Sequence, residues 1–202
     1  MRQLILASTS PYRLQLLRQL QLPFTAVPPV FDEVIDPAVA PELMVRHLAL
    51  GKARSLAKRY PQALIIGADQ VFVDQRGRAV GKPGNKEAAI SQLKQMAGRS
   101  HCFHTGLALF DGLTQAHIAD YSTFSVTLRS LSDEQIVNYV EREQPWECAG
   151  SFKIEGLGIA LMEKMAGDDY NSLIGLPLIK LVTMLSQFGV EVLDADVQGL
   201  GA

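Results

Sequence analysis

The chain has 202 residues, 48% of them hydrophobic, and a net charge of -2 from 19 basic and 21 acidic residues mixed along its length. That composition supplies a buried core and excludes intrinsic disorder, while the absence of a basic stripe excludes long nucleic acid as a partner. No segment approaches the ~20 apolar residues of a membrane span, and the run Leu4 to Ala7 is too short for a signal-peptide core, so a cytoplasmic protein with no membrane partner is expected.

Leu4 to Ala7 reads as a buried strand, followed by a polar turn and a helix from Pro11 to about Leu20, with proline well placed where a helix has N–H groups to spare. A second helix is expected over Pro41 to Arg59. Leu64 to Ile66 and Val71 to Val73 read as strand, with the polar stretch Gly67 to Gln70 interrupting them. Asn85 to Met96 reads as a helix, His104 to Phe110 and Ala119 to Leu128 as paired strands, and Ser132 as the cap of a helix reaching about Arg142. The glycine-punctuated stretch Gly156 to Met162 reads as strand and Pro177 to Phe188 as the closing helix. Alternation of strands and helices predicts an α/β fold, a mixed sheet with helices on both sides. No linker or repeat divides it, so residues 1–193 form one expected domain, and 194–202, which lack periodicity, a frayed tail.

Three clusters carry candidate chemistry. Ser8, Thr9, Ser10 and Arg13 are packed between a strand and a helix start, where backbone N–H groups, the positive helix end and a guanidinium fork suit phosphate oxygens; the same residues also read as a capping cluster beside a surface arginine. Asp69 sits in an otherwise apolar run, where an unpaired carboxylate is costly. With Asp32 and Glu33 nearby in the chain's turns, it offers hard oxygens to a divalent ion, although Asp32 and Glu33 taken alone read as a solvated turn. Lys52, Lys82 and Lys153 stand at sequence breaks and could lie along a polyphosphate; Lys52 singly reads as an exposed helix residue.

Motifs for a P-loop, a dinucleotide fold, a hydrolase elbow and a zincin are absent, and the four histidines form no ligand pair. His101 and His104 read as strand residues facing water or core. Cys102 and Cys148 have no metal-ligand spacing and read as packing residues.

Taken together, the opening run from Leu4 to Arg13, Gly67-Ala68-Asp69-Gln70, Gly81-Lys82-Pro83, the stretch from Cys148 to Gly156, and Gly175-Leu176-Pro177 resemble the Maf family in order and spacing. The resemblance implies a twisted mixed α/β fold of the Maf/ITPase-like kind, with two lobes around a central cleft. It also implies a homodimer and a nucleoside triphosphate pyrophosphatase that depends on a divalent cation such as Mg2+, Mn2+ or Co2+.

Family members that favour dTTP and UTP carry a second basic residue, a threonine and a glutamine where this chain has Tyr12, Gln70 and Glu155. The difference resembles the branch that hydrolyses 7-methyl-GTP. Its chemical sense is direct: a cationic 7-methylguanine ring stacks on an aromatic face, and a carboxylate accepts the N–H groups of guanine's edge. That branch often has tryptophan at the place of Tyr12. On this reading Glu33 and Asp69 hold the metal, Asp69 orients or deprotonates the attacking water, and Ser8, Ser10, Arg13, Lys52, Lys82 and Lys153 neutralise the phosphates. A dTTP/UTP pyrophosphatase, or a nucleotide-sensing regulator of cell division that binds without cutting, are the alternatives.

Overall fold

The apolar run Leu4–Ala7 forms strand β1, buried along its whole length. Its edges are taken by β2 (Phe24–Val27) and β3 (Leu64–Val73), which flank it in parallel, and helices cover both of its faces. From β3 onward the pairing is antiparallel, through β5 (Ser100–Asp111), β6 (His117–Leu128) and β7 (Met162–Ala166), while the two-residue β4 (Ala79–Val80) pairs the far end of β3. The computed structural model describes residues 2–33, 38–75 and 77–194. Among these the strands make a seven-stranded mixed sheet, six of them in the order β2-β1-β3-β5-β6-β7 and β4 beside β3 off this path. The expectation for the tail falls, beyond Asp194, outside the described residues. None of the described helices is long and apolar enough to cross a membrane.

Strand alternation sorts the core. Ile5, Ala7 and Ile65 point to one face, where α2 (Pro41–Ser55) contributes Ala53 and packs with Leu56 and Phe110. Leu4, Leu6, Leu64 and Ile66 point to the other, covered by α1 (Pro11–Arg18) and α6 (Leu178–Gln187) through Leu16, Leu17, Leu181 and Leu185. A separate cluster forms where β3, β5 and β6 continue beyond these helices. There Phe72, Phe103, Phe124 and Val126 pack with α3 (Lys86–Met96) and α4 (Asp133–Glu143). These two centres of packing are the two lobes.

Local capping agrees with the sequence. The Ser132 hydroxyl accepts from the Gln135 N–H at 3.2 Å and the Gln135 side chain accepts from the Ser132 N–H at 2.9 Å, a capping box that opens α4. Asn85 caps α3 by accepting from the Ala88 N–H at 2.9 Å.

Two expectations are corrected. β3 is one unbroken ten-residue strand: Gly67 to Gln70, expected to interrupt it, stay in the ladder, with Asp69 opposite Gly106 and Gln70 opposite Thr105. The ladder satisfies main-chain groups whatever the side chain, so a polar residue survives mid-strand provided its own atoms find partners. Gly156 to Met162 is not a strand. The N–H groups of Gly156 and Gly158 both turn back to the Lys153 carbonyl, and a 3-10 turn over Leu157–Leu161 precedes β7. Sequence reading also passed over β2, β4 and the short α5 (Tyr170–Ile174), which the Asp169 side chain caps.

Candidate functional site

At the β1–α1 junction both sequence readings hold at once. Ser10 is the N-cap of α1, its hydroxyl accepting from the Arg13 N–H at 3.4 Å, and the Ser8 hydroxyl accepts from the Ser10 N–H at 3.1 Å. The capping cluster nevertheless lines a cleft of about 620 Å3, with Ser8, Thr9, Ser10, Tyr12 and Arg13 all on its wall, a size that suits a nucleotide. Arg13 is no free surface arginine. Its Nε donates to the Gly175 carbonyl at 2.9 Å, and Gly175 reaches that position with a φ of 124°, a conformation open to glycine. Burial lowers the guanidinium pKa while Asp69 and Glu33 raise it, and arginine stays charged under such a shift.

Facing the junction, α2 rests on the sheet with almost no separation. A Cβ on Gly67 would lie 2.1 Å from the Ala49 carbonyl oxygen, and one on Gly106 would lie 2.1 Å from that of Val45. This approach brings Lys52 onto Asp69, Nζ to Oδ1 2.5 Å. The preceding Gly51 admits the Phe31 ring, whose Cζ would lie 2.3 Å from an added Cβ. Packing Phe31 there draws Glu33 in, so that its Oε1 lies 2.7 Å from the same ammonium. Lys52 is thus buried, at 7% exposure, which corrects its reading as a solvated helix residue. Burial pushes the Asp69 carboxyl above its ordinary pKa, against the opposing pull of Lys52 and then Arg13.

Glu33 and Asp69 are therefore two hard oxygen donors converging on one positive charge. That donor set suits a divalent cation. The described residues contain no cluster of three or more histidine, cysteine or acidic side chains, so phosphate and water oxygens would complete its shell.

The far wall is apolar. Phe103 and Phe152 meet edge to face at 5.5 Å between centroids, and Ala149, Ile154, Leu173 and Ile174 extend the surface. Tyr12, at the start of α1, leans across with its hydroxyl 3.9 Å from the Cys148 sulfur. Burial, reinforced by Cys148, pushes its pKa up to about 12, so the phenol stays neutral. Glu155 lies exposed on the same wall.

Gln70 points to the face opposite Asp69, as neighbours on a strand must. Its Nε2 lies 3.0 Å from Thr105 Oγ1, the Ser172 carbonyl and the Leu173 carbonyl. Thr105 Oγ1 itself donates to the Ser172 carbonyl at 2.8 Å, so it presents a lone pair to Gln70. Three acceptors around one atom determine which end of the amide is NH2.

Lys82 lines the cleft from the loop after β4, largely exposed and 3.3 Å from Glu147. Lys153 does not join them. Its ammonium donates to the Glu143 carbonyl at 2.5 Å and its N–H to the Tyr139 hydroxyl at 2.9 Å, so it holds α4 to the wall of the cleft. Cys148 lines the cleft, whereas Cys102 sits 3.5 Å from the Ser125 hydroxyl. His101 and His104 are buried strand residues, in keeping with the sequence reading. Phe103 and Thr105 in β5, Phe152 in the loop before Lys153 and Leu173 on α5 were missed as site residues, because apolar and β-branched residues carry the same signal whether they pack a core or line a cleft.

A helix-flanked mixed sheet with anion-holding groups on one side of its cleft and an aromatic wall on the other defines an α/β protein with a nucleotide-type site. The chain belongs to the Maf family: the model described as Maf-like protein matches residues 3–188. A relative from Syntrophotalea carbinolica, named 7-methyl-GTP pyrophosphatase, is 58% identical over 96% of this chain and 98% of its own. A second of that name, from Methylobacillus flagellatus, is 50% identical over 94% of this chain and 98% of its own. Among solved structures, a HAM1 protein from Coxiella burnetii shares the fold with a TM-score of 0.52 at 17% identity, covering 93% of this chain and 100% of that one.

Proposed function

We propose that this chain is a nucleoside triphosphate pyrophosphatase that hydrolyses 7-methyl-GTP to 7-methyl-GMP and pyrophosphate. The observation that carries this reading is the placing of Tyr12 and Glu155 on the same cleft as Ser8, Arg13, Lys52 and Lys82. One side of the cleft suits a cationic guanine ring and its N–H edge, the other a triphosphate. The names of the two bacterial relatives support the same substrate.

Glu33 and Asp69 would hold a divalent ion, Mg2+, Mn2+ or Co2+, which supplies charge neutralisation to the phosphate oxygens. The chain's own residues do the rest. Arg13, Lys52 and Lys82, with the hydroxyls of Ser8 and Ser10, orient the triphosphate and stabilise the charge that grows on the departing pyrophosphate. Lys153 supports the base side from behind rather than touching phosphate.

A water oxygen bonds to the α-phosphorus and the bond from that phosphorus to the α–β bridging oxygen breaks. The water's proton passes to Asp69, a carboxylate held in place by the Lys52 ammonium. Gln70 offers its carbonyl oxygen and Glu155 its carboxylate to the ring's N–H groups. The enzyme would act in the cytoplasm as a homodimer, without nucleic acid or membrane, and residues 1–193 would work as one domain.

The test is pyrophosphate release from 7-methyl-GTP, GTP, dTTP and UTP with Mg2+ or Mn2+, repeated with chelator. Metal-dependent release led by 7-methyl-GTP is expected. Preference for dTTP or UTP would overturn the substrate, and cleavage of none would favour a nucleotide sensor.

A further inference from the structure

Gln92 lies on α3, flanked by the core residues Ala89, Leu93 and Met96. Outside the cleft itself, its amide spans two segments that each supply cleft residues. Nε2 donates to the Gly81 carbonyl at 3.0 Å, the residue before Lys82. Oε1 accepts from the Ser151 hydroxyl at 2.5 Å. The Gly81 carbonyl can only accept, so it determines which end of the amide is NH2, and Ser151 is left to donate to the other end.

Ser151 is fully buried and stands at a φ of 59°, directly after Gly150 at 74°. A left-handed conformation is unfavourable for a residue with a Cβ and persists where its surroundings hold it. Here the hydroxyl bond to Gln92 is one such hold. The turn aims the following residues, since Phe152, Ile154 and Glu155 all line the cleft. Gln92 is thus a strut from the segment of Lys82, on the phosphate side, to the turn that presents Glu155, on the base side. The amide side chain offers a donor and an acceptor together at this reach.

We propose that Gln92 is a positioning residue that sets the spacing between the phosphate-holding and base-holding sides of the cleft. It rests on the pyrophosphatase reading above. Two further ties join the same segments, the Gly84 N–H to the Trp146 carbonyl at 3.0 Å and Lys82 to Glu147 at 3.3 Å, so removing the strut loosens the cleft without dismantling it.

Three variants, each assayed for pyrophosphate release from 7-methyl-GTP and dTTP, separate the two ends of the strut. Gln92→Leu breaks both bonds and is expected to lower kcat/KM for 7-methyl-GTP about tenfold and its preference over dTTP about fivefold. Gln92→Glu keeps an acceptor for Ser151 but sets a carboxylate against the Gly81 carbonyl. It should lower kcat/KM for both substrates by one factor, with the preference retained. Ser151→Ala frees the base-side turn, and should lower the preference while leaving dTTP cleavage within about twofold of wild type.

Should Gln92→Leu fail to fold, the other two still decide. Gln92→Leu within about twofold of wild type in both readouts, or Gln92→Glu and Ser151→Ala shifting both readouts alike, would overturn the positioning role. A wild-type enzyme that cleaves no triphosphate would instead overturn the functional reading, and this inference with it.

Discussion

Lys52 and Asp69 form a buried ion pair, Nζ to Oδ1 2.5 Å, across the contact between α2 and β3. Neither residue is tolerable there alone, since an isolated charge in an apolar setting is strongly disfavoured. Glu33, at 2.7 Å from the same ammonium, gives Lys52 a second carboxylate partner and sets its oxygens beside those of Asp69.

Asp69→Asn keeps the shape of the side chain and leaves Lys52 its contact with Glu33, so the fold should survive. Losing the proton acceptor should lower kcat by about 100- to 10,000-fold. Pyrophosphate release from 7-methyl-GTP, with thermal unfolding as the control, checks it. Unimpaired turnover would remove Asp69 from the mechanism.

Gly67→Ala should disturb both stability and activity. The new methyl would meet the Ala49 carbonyl oxygen at 2.1 Å, and α2 must lift away from β3. Overpacking of this kind costs about 1–3 kcal/mol, and the shift carries Lys52 off Asp69. Urea denaturation should show the loss, and kcat should fall in parallel.

Tyr12→Leu keeps an apolar group on the base side but removes the aromatic face. Preference for 7-methyl-GTP over GTP should fall about threefold or more, because GTP lacks the cationic ring. Tyr12→Trp should raise it. Glu155→Gln combined with Gln70→Thr should move the ranking toward dTTP and UTP. An unchanged order across the four nucleotides would refute the roles given to these three residues.

Asp111 provides a pH test away from the cleft. Arg2 donates to both its carboxylate oxygens, Thr114 Oγ1 donates at 2.9 Å and the Leu113 N–H at 2.8 Å. The Arg2 guanidinium, first among these, holds the carboxyl well below its usual 3.8. The unfolded chain therefore takes up the proton first as pH falls. Stability from this group is present above about pH 4 and lost below it, toward the depressed folded value. Asp111→Asn should cost roughly 1.5–3 kcal/mol in urea denaturation at pH 7, with the gap to wild type narrowing steadily as pH falls from about 4 to about 3. A gap that stays constant across that range would exclude the ion pair as its cause.

The sequence by itself determined the features whose signals lie within a few residues. Leu4–Ala7 reads as buried strand because it is continuously apolar, the capping box at Ser132 reads as a helix start, and the hydroxyl cluster at Ser8 to Ser10 reads as a strand–helix junction. The Maf pattern in the opening run, in Gly67 to Gln70 and in Cys148 to Gly156 also pointed to the family and to Tyr12, Asp69 and Glu155. What only the tertiary structure decided were the partners of individual side chains. Asp69 remains inside an unbroken strand because Lys52, 17 residues earlier, reaches it across the seat that Gly67 and Gly106 provide. Lys153 carries the same residue type and an equally suggestive motif, yet its ammonium goes to the Glu143 carbonyl. Capping and periodicity depend on neighbours in the chain, whereas the partner of a buried charge depends on which distant segment packs against it, and that is a property of the folded core.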